Sequence, residues 1–232
     1  MKKIKRPLAI AAILLAAIAT SLLATWLSAI VEEEPPGIEA ATSADPDSPT
    51  GRTIDWEALP DEVIAWVEVP CTGIDEPIVQ ATPDAPNAYL YADAMGQGAY
   101  GTPYIDCECS IDSRFVMVYG HHMSDGSVFA PFASYIDEGF ARENGRIIVY
   151  RRTGETLELK PVAVDVVNAS RERLVIAQEG DFREMVDSSD LILREPNNEG
   201  QLFAFTTCSY QTRNSRTIVF AHSETAAALH LK

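Results

Sequence analysis

One cysteine of the chain stands where a nucleophile of an enzyme could stand. Cys208 follows the apolar run 202–207 and precedes a polar stretch, so its thiol is predicted to lie at the rigid end of a strand. A thiolate attacks an amide well near neutral pH, and a nearby imidazolium stabilises it. A free cysteine is also often a small buried hydrophobe, so this position alone leaves a purely structural role open.

A histidine follows a second predicted strand in the same way. His121 comes directly after Gly120, which ends the compact apolar run 114–119. An imidazole at such a place can act as a general acid and base for a neighbouring thiol. The next residue, His122, points to the opposite face of extended backbone, so the two rings make a poor pair for chelating a metal.

An arginine opens the last predicted strand. Alternation along 216–221 puts Arg216 on the same side of the strand as Ile218 and Phe220. A guanidinium on an apolar side requires an anionic partner or a functional role. Arg213, three residues earlier, is predicted to be a solvated charge of the preceding loop.

The elements that must position these residues are mainly strands. Strands are predicted at 64–69, 76–80, 114–119, 146–152, 155–168, 201–207 and 216–221, and helices at 54–62, 127–144 and 181–189. Short strands with inserted helices and without regular β–α alternation predict a mainly β fold, either a closed barrel or a sandwich.

The N-terminal region predicts a membrane anchor. Residues 1–6 hold four basic side chains, and 7–31 contain no charged residue and are long enough, as a helix, to cross a bilayer. Basic residues before the span and acidic residues after it predict a cytoplasmic N-terminus and an exported body. The alternative is a cleaved signal peptide, although the apolar run is long for one and 26–31 offer a poor cleavage site.

Residues 32–52 predict an extended tether, because they hold four prolines, six acidic residues and no aromatic residue. The folded domain is predicted to cover 53–232.

Beyond residue 31 lie 14 of the 18 Lys and Arg and all 34 Asp and Glu, so this part carries a net charge near −20. Such a charge argues against nucleic acid and against an anionic membrane surface as partners.

In its motifs the sequence resembles the sortases, the membrane-anchored cysteine transpeptidases of Gram-positive bacteria, and most closely those of class B. The family's Thr-Leu-x-Thr-Cys motif falls on 204–208, Ala-Phe-Thr-Thr-Cys. Its Gly-His motif falls on Gly120-His121, and the Arg that opens its last strand falls on Arg216. Segments 77–80 and 87–90 resemble two further class B segments.

The resemblance implies a closed eight-stranded β-barrel and a role for each matched residue. Cys208 would be the nucleophile, His121 the general acid and base, and Arg216 a donor to the oxyanion or the substrate backbone. His122 stands where class B often has Asn, and His121 is preferred because it directly follows the glycine. Residues implied in substrate binding are Thr206, Thr207 and Asn87.

The resemblance also implies a reaction and its partners. The enzyme would cleave a C-terminal sorting signal of exported surface proteins, hold the acyl group as a thioester, and pass it to an amine of a cell-wall precursor or a pilin lysine. No cofactor or metal is implied. Two alternatives remain, an exported cysteine hydrolase with water as acceptor and a non-catalytic binding barrel with a buried Cys208. A papain-like protease is disfavoured, because there the cysteine precedes the histidine.

The three other cysteines predict at most one disulfide. Cys107 and Cys109 form a Cys-x-Cys pair whose spacing matches no strong zinc pattern. An exported domain favours disulfides, so Cys71 is predicted to pair with Cys107 or Cys109 while Cys208 stays free.

Overall fold

The computed structural model describes residues 41–46, 50–94, 100–169, 182–195, 200–210 and 214–223. Within them the fold is mainly β. The strands are β1 (Thr42–Ala44), β2 (Arg52–Ile54), β3 (Val63–Glu68), β4 (Asp75–Gln80), β5 (Tyr104–Ile105), β6 (Phe115–Tyr119), β7 (Ile147–Arg151), β8 (Thr156–Asn168), β9 (Leu191–Ile192), β10 (Leu202–Ser209) and β11 (Ser215–Ser223). The α-helices are α1 (Glu138–Glu143) and α2 (Arg183–Asp187), and 3-10 helices span Trp56–Ala58, Ala88–Leu90 and Ala130–Ile136.

Eight of these strands close into a barrel. Their order is β11-β10-β6-β5-β4-β3-β7-β8, and β8 pairs again with β11 to complete the ring. Most neighbours are antiparallel, but β10 runs parallel to β6 and β5 runs parallel to β4. The closed eight-stranded barrel predicted from the resemblance is confirmed. The short strand β9 is added to β8, and β1 and β2 form a separate pair.

Alternation along the strands separates the barrel interior from its outer surface. All eight barrel strands contribute to one interior cluster, which includes Val116 and Val118 of β6 and Phe203 and Phe205 of β10. Intervening residues such as Met117 and Ala204 belong to a cluster on the outer surface. Because successive strand residues alternate between the two faces, residues two apart share an environment.

The predicted helix 127–144 is present as two shorter pieces. The 3-10 helix Ala130–Ile136 places Phe132 in the interior cluster, and α1 follows it. Asp137 separates the two, since its backbone is extended and its carboxylate accepts the Phe140 N–H at 2.8 Å. A carboxylate that accepts a first-turn N–H is a strong N-cap, so Asp137 starts a new helix instead of continuing the old one.

The folded part begins earlier than the predicted boundary at residue 53. β1 pairs with β2, and Ala41 lies 1% exposed in a cluster with Trp66. Arg52 forms a bidentate contact with Asp75, at 2.7 and 2.9 Å. The end of the predicted tether therefore belongs to the domain. The Pro-rich, acidic composition of the predicted tether does not indicate the strand pair β1–β2, because this pair is stabilised by contacts with residues far along the chain.

The predicted membrane span 7–31 lies outside the described residues. Among the helices of the described ranges, none has the length and apolar character needed to cross a bilayer.

Candidate active site

Cys208 and Arg216 are direct neighbours across two antiparallel strands. In the register of β10 with β11, Cys208 pairs with Arg216 and Thr206 pairs with Ile218. Directly opposed residues share one face of the sheet and have Cβ atoms about 4.5–5.5 Å apart. Ile218 belongs to the outer cluster, so Cys208 and Arg216 project from the outer surface of the barrel. Both are partly exposed.

His121 reaches the same place from the neighbouring strand. β6 runs parallel to β10 with Tyr119 opposite Thr206, and the Gly120 N–H donates to the Thr206 carbonyl at 3.0 Å. His121 follows directly and shares the face of Tyr119 by alternation. The ends of two parallel strands thus bring the imidazole beside the thiol.

Gly120 is required here by packing. A Cβ on Gly120 would lie 2.3–2.8 Å from ring atoms of Phe129, which is fully buried in the interior cluster. The Phe129 N–H donates in turn to the His121 carbonyl at 2.9 Å. The glycine therefore lets the segment after β6 fold back closely over His121.

The His121 ring is held by the wall opposite β10. Its Nε2 donates a hydrogen bond to the Leu90 carbonyl at the end of the 3-10 helix Ala88–Leu90, and the Tyr91 ring lies 6.0 Å away. Because a carbonyl oxygen only accepts, Nε2 carries a proton in this arrangement. Nothing in the sequence around Leu90 indicates this contact, since it is made by a backbone oxygen.

His122 occupies the other side of the same backbone. Its Nδ1 donates to the carbonyl of Cys208 at 2.8 Å, and its ring meets the Tyr210 ring edge-on at 4.7 Å. Among the described residues that line the cavity next to Cys208, His121 is present and His122 is not. The two adjacent rings therefore have different roles. The His121 ring faces the cavity, and the His122 ring connects the segment after β6 to the end of β10 through a hydrogen bond.

All six residues predicted for the site line one cavity of about 420 Å³. Thr206 lies on the cavity face, where its hydroxyl contacts the sulfur of Met117 at 3.1 Å. Thr207 also contributes to the lining, although its hydroxyl is buried and has no hydrogen-bond partner among the described residues. Asn87 is exposed at the rim. The cavity residues not predicted from the sequence are Pro86, Tyr89, Leu90, Tyr91, Thr102, Tyr104, Asp106, Tyr119, Gly120 and Ala169.

Arg216 makes polar contacts with its neighbours in the chain. Its Nη1 donates to the Ser215 carbonyl at 3.1 Å and approaches the Asn214 side-chain oxygen at 3.4 Å. Among the described residues, no carboxylate forms an ion pair with Arg216. The guanidinium therefore keeps donors for a ligand in the cavity. Arg213, predicted to be a solvated loop charge, lies outside the described residues.

The far end of the cavity is aromatic and acidic. The rings of Tyr104 and Tyr119 lie 5.4 Å apart, and Asp106 follows on the same strand face as Tyr104. Burial raises the pKa of both Tyr104 and Tyr119, and the negative charge of Asp106 raises it further. These two hydroxyls therefore stay protonated and are able to donate hydrogen bonds.

The predicted disulfide is wrong. Cys71, Cys107 and Cys109 are all free thiols. Cys71 lies in the turn between β3 and β4, whereas Cys107 follows β5, which ends beside the far end of β4. A six-residue strand is about 20 Å long, far beyond the Cα separation that a disulfide spans. Burial raises the pKa of the Cys109 thiol to about 11, so it is an inert packed side chain.

The described residues contain no group of three His, Cys, Asp or Glu side chains that could hold a metal ion.

The chain is similar in sequence to a known protein over part of its length. No family model matches the chain. A curated sortase B of Listeria monocytogenes is 29% identical over 90 residues, a match that covers 37% of this chain and 35% of the relative. The matched region thus spans about a third of that relative's length.

Solved structures share the fold over a larger part of the chain. A class B sortase of Streptococcus pyogenes involved in pilus biogenesis has a TM-score of 0.61 at 24% identity, covering 70% of this chain and 92% of its own. Clostridium perfringens sortase B has a TM-score of 0.58 at 23% identity, covering 70% and 94%. The Staphylococcus aureus sortase B–substrate complex has a TM-score of 0.61 at 17% identity, covering 74% and 83%.

The barrel therefore has the sortase fold. In sequence, 90 residues of the chain resemble a sortase B, and the solved structures that share its fold include class B sortases.

Proposed function

We propose that the chain is a cysteine transpeptidase of the class B sortase type. It cleaves a C-terminal sorting signal of exported surface proteins and transfers the acyl group to an amine of a cell-wall precursor or a pilin lysine. The observation that carries this proposal is the convergence of Cys208, His121 and Arg216 on one cavity from three barrel strands or their ends. A buried, inert cysteine does not require a neighbouring imidazole. It also does not require a nearby guanidinium that forms no ion pair with a described residue.

The residues divide the chemistry between them. The Cys208 thiolate attacks the scissile carbonyl, and Arg216 donates to the oxygen on which negative charge develops. His121 protonates the leaving amine as the C–N bond breaks, which leaves a thioester on Cys208. An incoming amine then attacks the thioester, His121 takes its proton, and the C–S bond breaks to release the new amide. Because thiol and imidazole interact, their titration belongs to the pair.

The partners and the location are part of the same proposal. Related structures include a sortase B–substrate complex and a sortase B complexed with triglycine, so those proteins bind a substrate and a glycine peptide. The uncharged run 7–31, preceded by basic residues, supports a single membrane-spanning helix with a cytoplasmic N-terminus and an extracellular catalytic domain.

The test uses the purified domain, triglycine as the amine probe, and randomised peptides with a fixed central Thr, because the resemblance implies cleavage after a Thr of the sorting signal. Mass spectrometry should detect an acyl-enzyme on Cys208 and a peptide–triglycine product, and Cys208→Ala should form neither. Cleavage without triglycine incorporation would identify a hydrolase instead. If a mild thiol reagent failed to label Cys208 and no acyl-enzyme formed, a non-catalytic barrel would be the correct description.

A further inference from the structure

The cavity carries opposite charges at its two ends. Arg216 lies beside Cys208, and Asp106 lines the same cavity beyond Tyr104 and Tyr119. Tyr104, Tyr119 and Thr206 form one row across β5, β6 and β10. Cys208 lies two residues beyond this row in one direction, and Asp106 lies two residues beyond it in the other. At about 3.3 Å per residue and 4.8 Å between strands, the two positions are roughly 16 Å apart.

Asp106 accepts only neutral donors from the described residues. The Glu108 N–H donates to its carboxylate at 2.9 Å. Burial, and after it the charge of Asp106, raises the pKa of the Tyr119 hydroxyl and of the Cys107 thiol, which are neutral neighbours of this carboxylate. No Lys or Arg of the described ranges forms an ion pair with Asp106. Its charge also raises the pKa of Tyr104, in addition to the larger effect of burial. Within this part of the chain, the carboxylate is thus an uncompensated charge at the end of the cavity.

An aromatic floor leads from the thiol to this carboxylate. The Tyr104 and Tyr119 rings are tilted by 40° with centroids 5.4 Å apart. Rings in this position can pack against the methylene stem of a long cationic side chain, and their faces attract its charged head. The strongly acidic chain, with a formal net charge of −16, also draws a cationic peptide toward the site.

We propose that Asp106 is a specificity-determining residue that selects a Lys or Arg side chain in the substrate. The cation would meet the Asp106 carboxylate, with its stem on Tyr104 and Tyr119, while Cys208 attacks the peptide. An extended peptide rises about 3.3 Å per residue, so the selected residue lies roughly three to five positions from the one acylated on Cys208. This inference rests on the proposed function, because it concerns the substrate of the same cavity.

The test compares matched peptides whose cleavage site has been found with the randomised pool. Each position on either side of the Thr carries Lys, the uncharged norleucine or Glu in turn. At one position the wild-type kcat/KM should favour Lys over norleucine by about tenfold, as a charge-assisted hydrogen bond in a partly enclosed site does. Asp106→Asn should bring that ratio near one, and Asp106→Lys should favour Glu. Glu108→Gln, an exposed acidic neighbour outside the cavity lining, should keep the wild-type ratio.

Binding separates this inference from the proposed function. Fluorescence anisotropy of peptides with a central Thr and either Lys or norleucine at each flanking position in turn, measured on Cys208→Ala with and without Asp106→Asn, gives the preference without turnover. If no peptide is turned over but the Lys preference depends on Asp106, the transpeptidase proposal fails and the cation site stands. If peptides are turned over with equal Lys and norleucine values in the wild type, or with a preference that Asp106→Asn leaves intact, the role of Asp106 is overturned.

Discussion

The two adjacent histidines differ in what they touch, and this difference is testable. His121→Ala removes the imidazole that faces the cavity, so acyl-enzyme formation should be lost as completely as in Cys208→Ala. His122→Ala removes a hydrogen bond to the Cys208 carbonyl, which costs about 1 kcal/mol of stability, and should retain most activity. Acyl-enzyme yield and melting temperature on the three variants check this. An active His121→Ala beside an inactive, folded His122→Ala would exchange the two assignments.

Arg216 provides a second prediction, because its fork of donors matters more than its charge. Arg216→Lys keeps the positive charge but loses the planar geometry, so turnover should fall by about 100-fold, as for one lost oxyanion donor. The melting temperature should change little, since Arg216 has no ion pair with a described residue. Arg142→Ala, which removes an exposed arginine on α1, is the matched control and should stay fully active. Unchanged turnover in a stable Arg216→Lys would leave Arg216 only a structural role.

Glu76 predicts a pH dependence of stability. Burial and the nearby charges of Asp75 and Asp93 raise its pKa from 4.5 to about 7, while a hydrogen bond from the Val128 backbone opposes this shift. The folded state therefore binds a proton that the unfolded state has released above pH 4.5. Stability is fully present below pH 4.5, is lost as the pH rises to about 7, and is constant above it.

Glu76→Gln removes this titration while keeping an acceptor for the Val128 N–H. The variant should match the wild type at pH 4 and exceed it by about 3 kcal/mol at pH 8, since each pKa unit corresponds to about 1.4 kcal/mol. Urea unfolding at the two pH values measures the difference. Glu143→Gln, at an exposed position of α1, controls for the loss of one negative charge. Equal pH profiles for Glu76→Gln and the wild type would contradict the burial of this carboxylate.

At the scale of elements, the sequence predicted the long strands well and the short ones poorly. The predicted strands 114–119, 201–207 and 216–221 correspond to β6, β10 and β11, which carry or flank the three candidate catalytic residues. Their apolar runs are long enough to show the period of a strand. β5 and β9 have two residues each, and their extended conformation depends on pairing with neighbouring strands. No local sequence pattern therefore indicates them.

The same limit applies to the site. Cys208, His121 and Arg216 were found because each lies at the end of a recognisable strand. Asp106 follows a two-residue strand, and the Leu90 carbonyl is a backbone atom, so neither has a signature in the sequence. The disulfide prediction was wrong because the distance from Cys71 to Cys107 and Cys109 depends on β4 running parallel to β5. Only the barrel topology determines this pairing.

The segment after β6 predicts the effect of one added methyl group. Gly120→Ala would place a Cβ within 3 Å of the Phe129 ring, and a fully buried ring has little freedom to move. Overpacking of this kind costs about 1–3 kcal/mol and should also displace His121, so both melting temperature and acyl-enzyme yield should fall. Phe129→Leu in the Gly120→Ala background should recover part of the loss. Additive effects in this double-mutant cycle would show that the two residues do not clash.

For the whole molecule, only a short stretch of chain separates the predicted anchor from the folded unit. The described part already includes Ala41, buried in a cluster with Trp66, and the uncharged run ends at residue 31. The predicted tether is thereby shortened to 32–40, with four Glu and two Pro.

This arrangement predicts where a protease cuts on intact cells. If 7–31 anchor an exported domain, added protease should cut within 32–40, because the paired strands β1 and β2 protect the residues that follow. The released fragment should begin before Ala41 and keep its acyl-transfer activity, while the N-terminal segment stays with the membrane. A variant with an equally long Gly-Ser segment in place of 32–40 tests whether cleavage occurs only in this segment. A protease specific for Glu should release the domain from the wild type and release no domain from this variant. Mature protein found free in the medium without added protease, beginning near Val31, would instead identify 7–31 as part of a cleaved signal peptide.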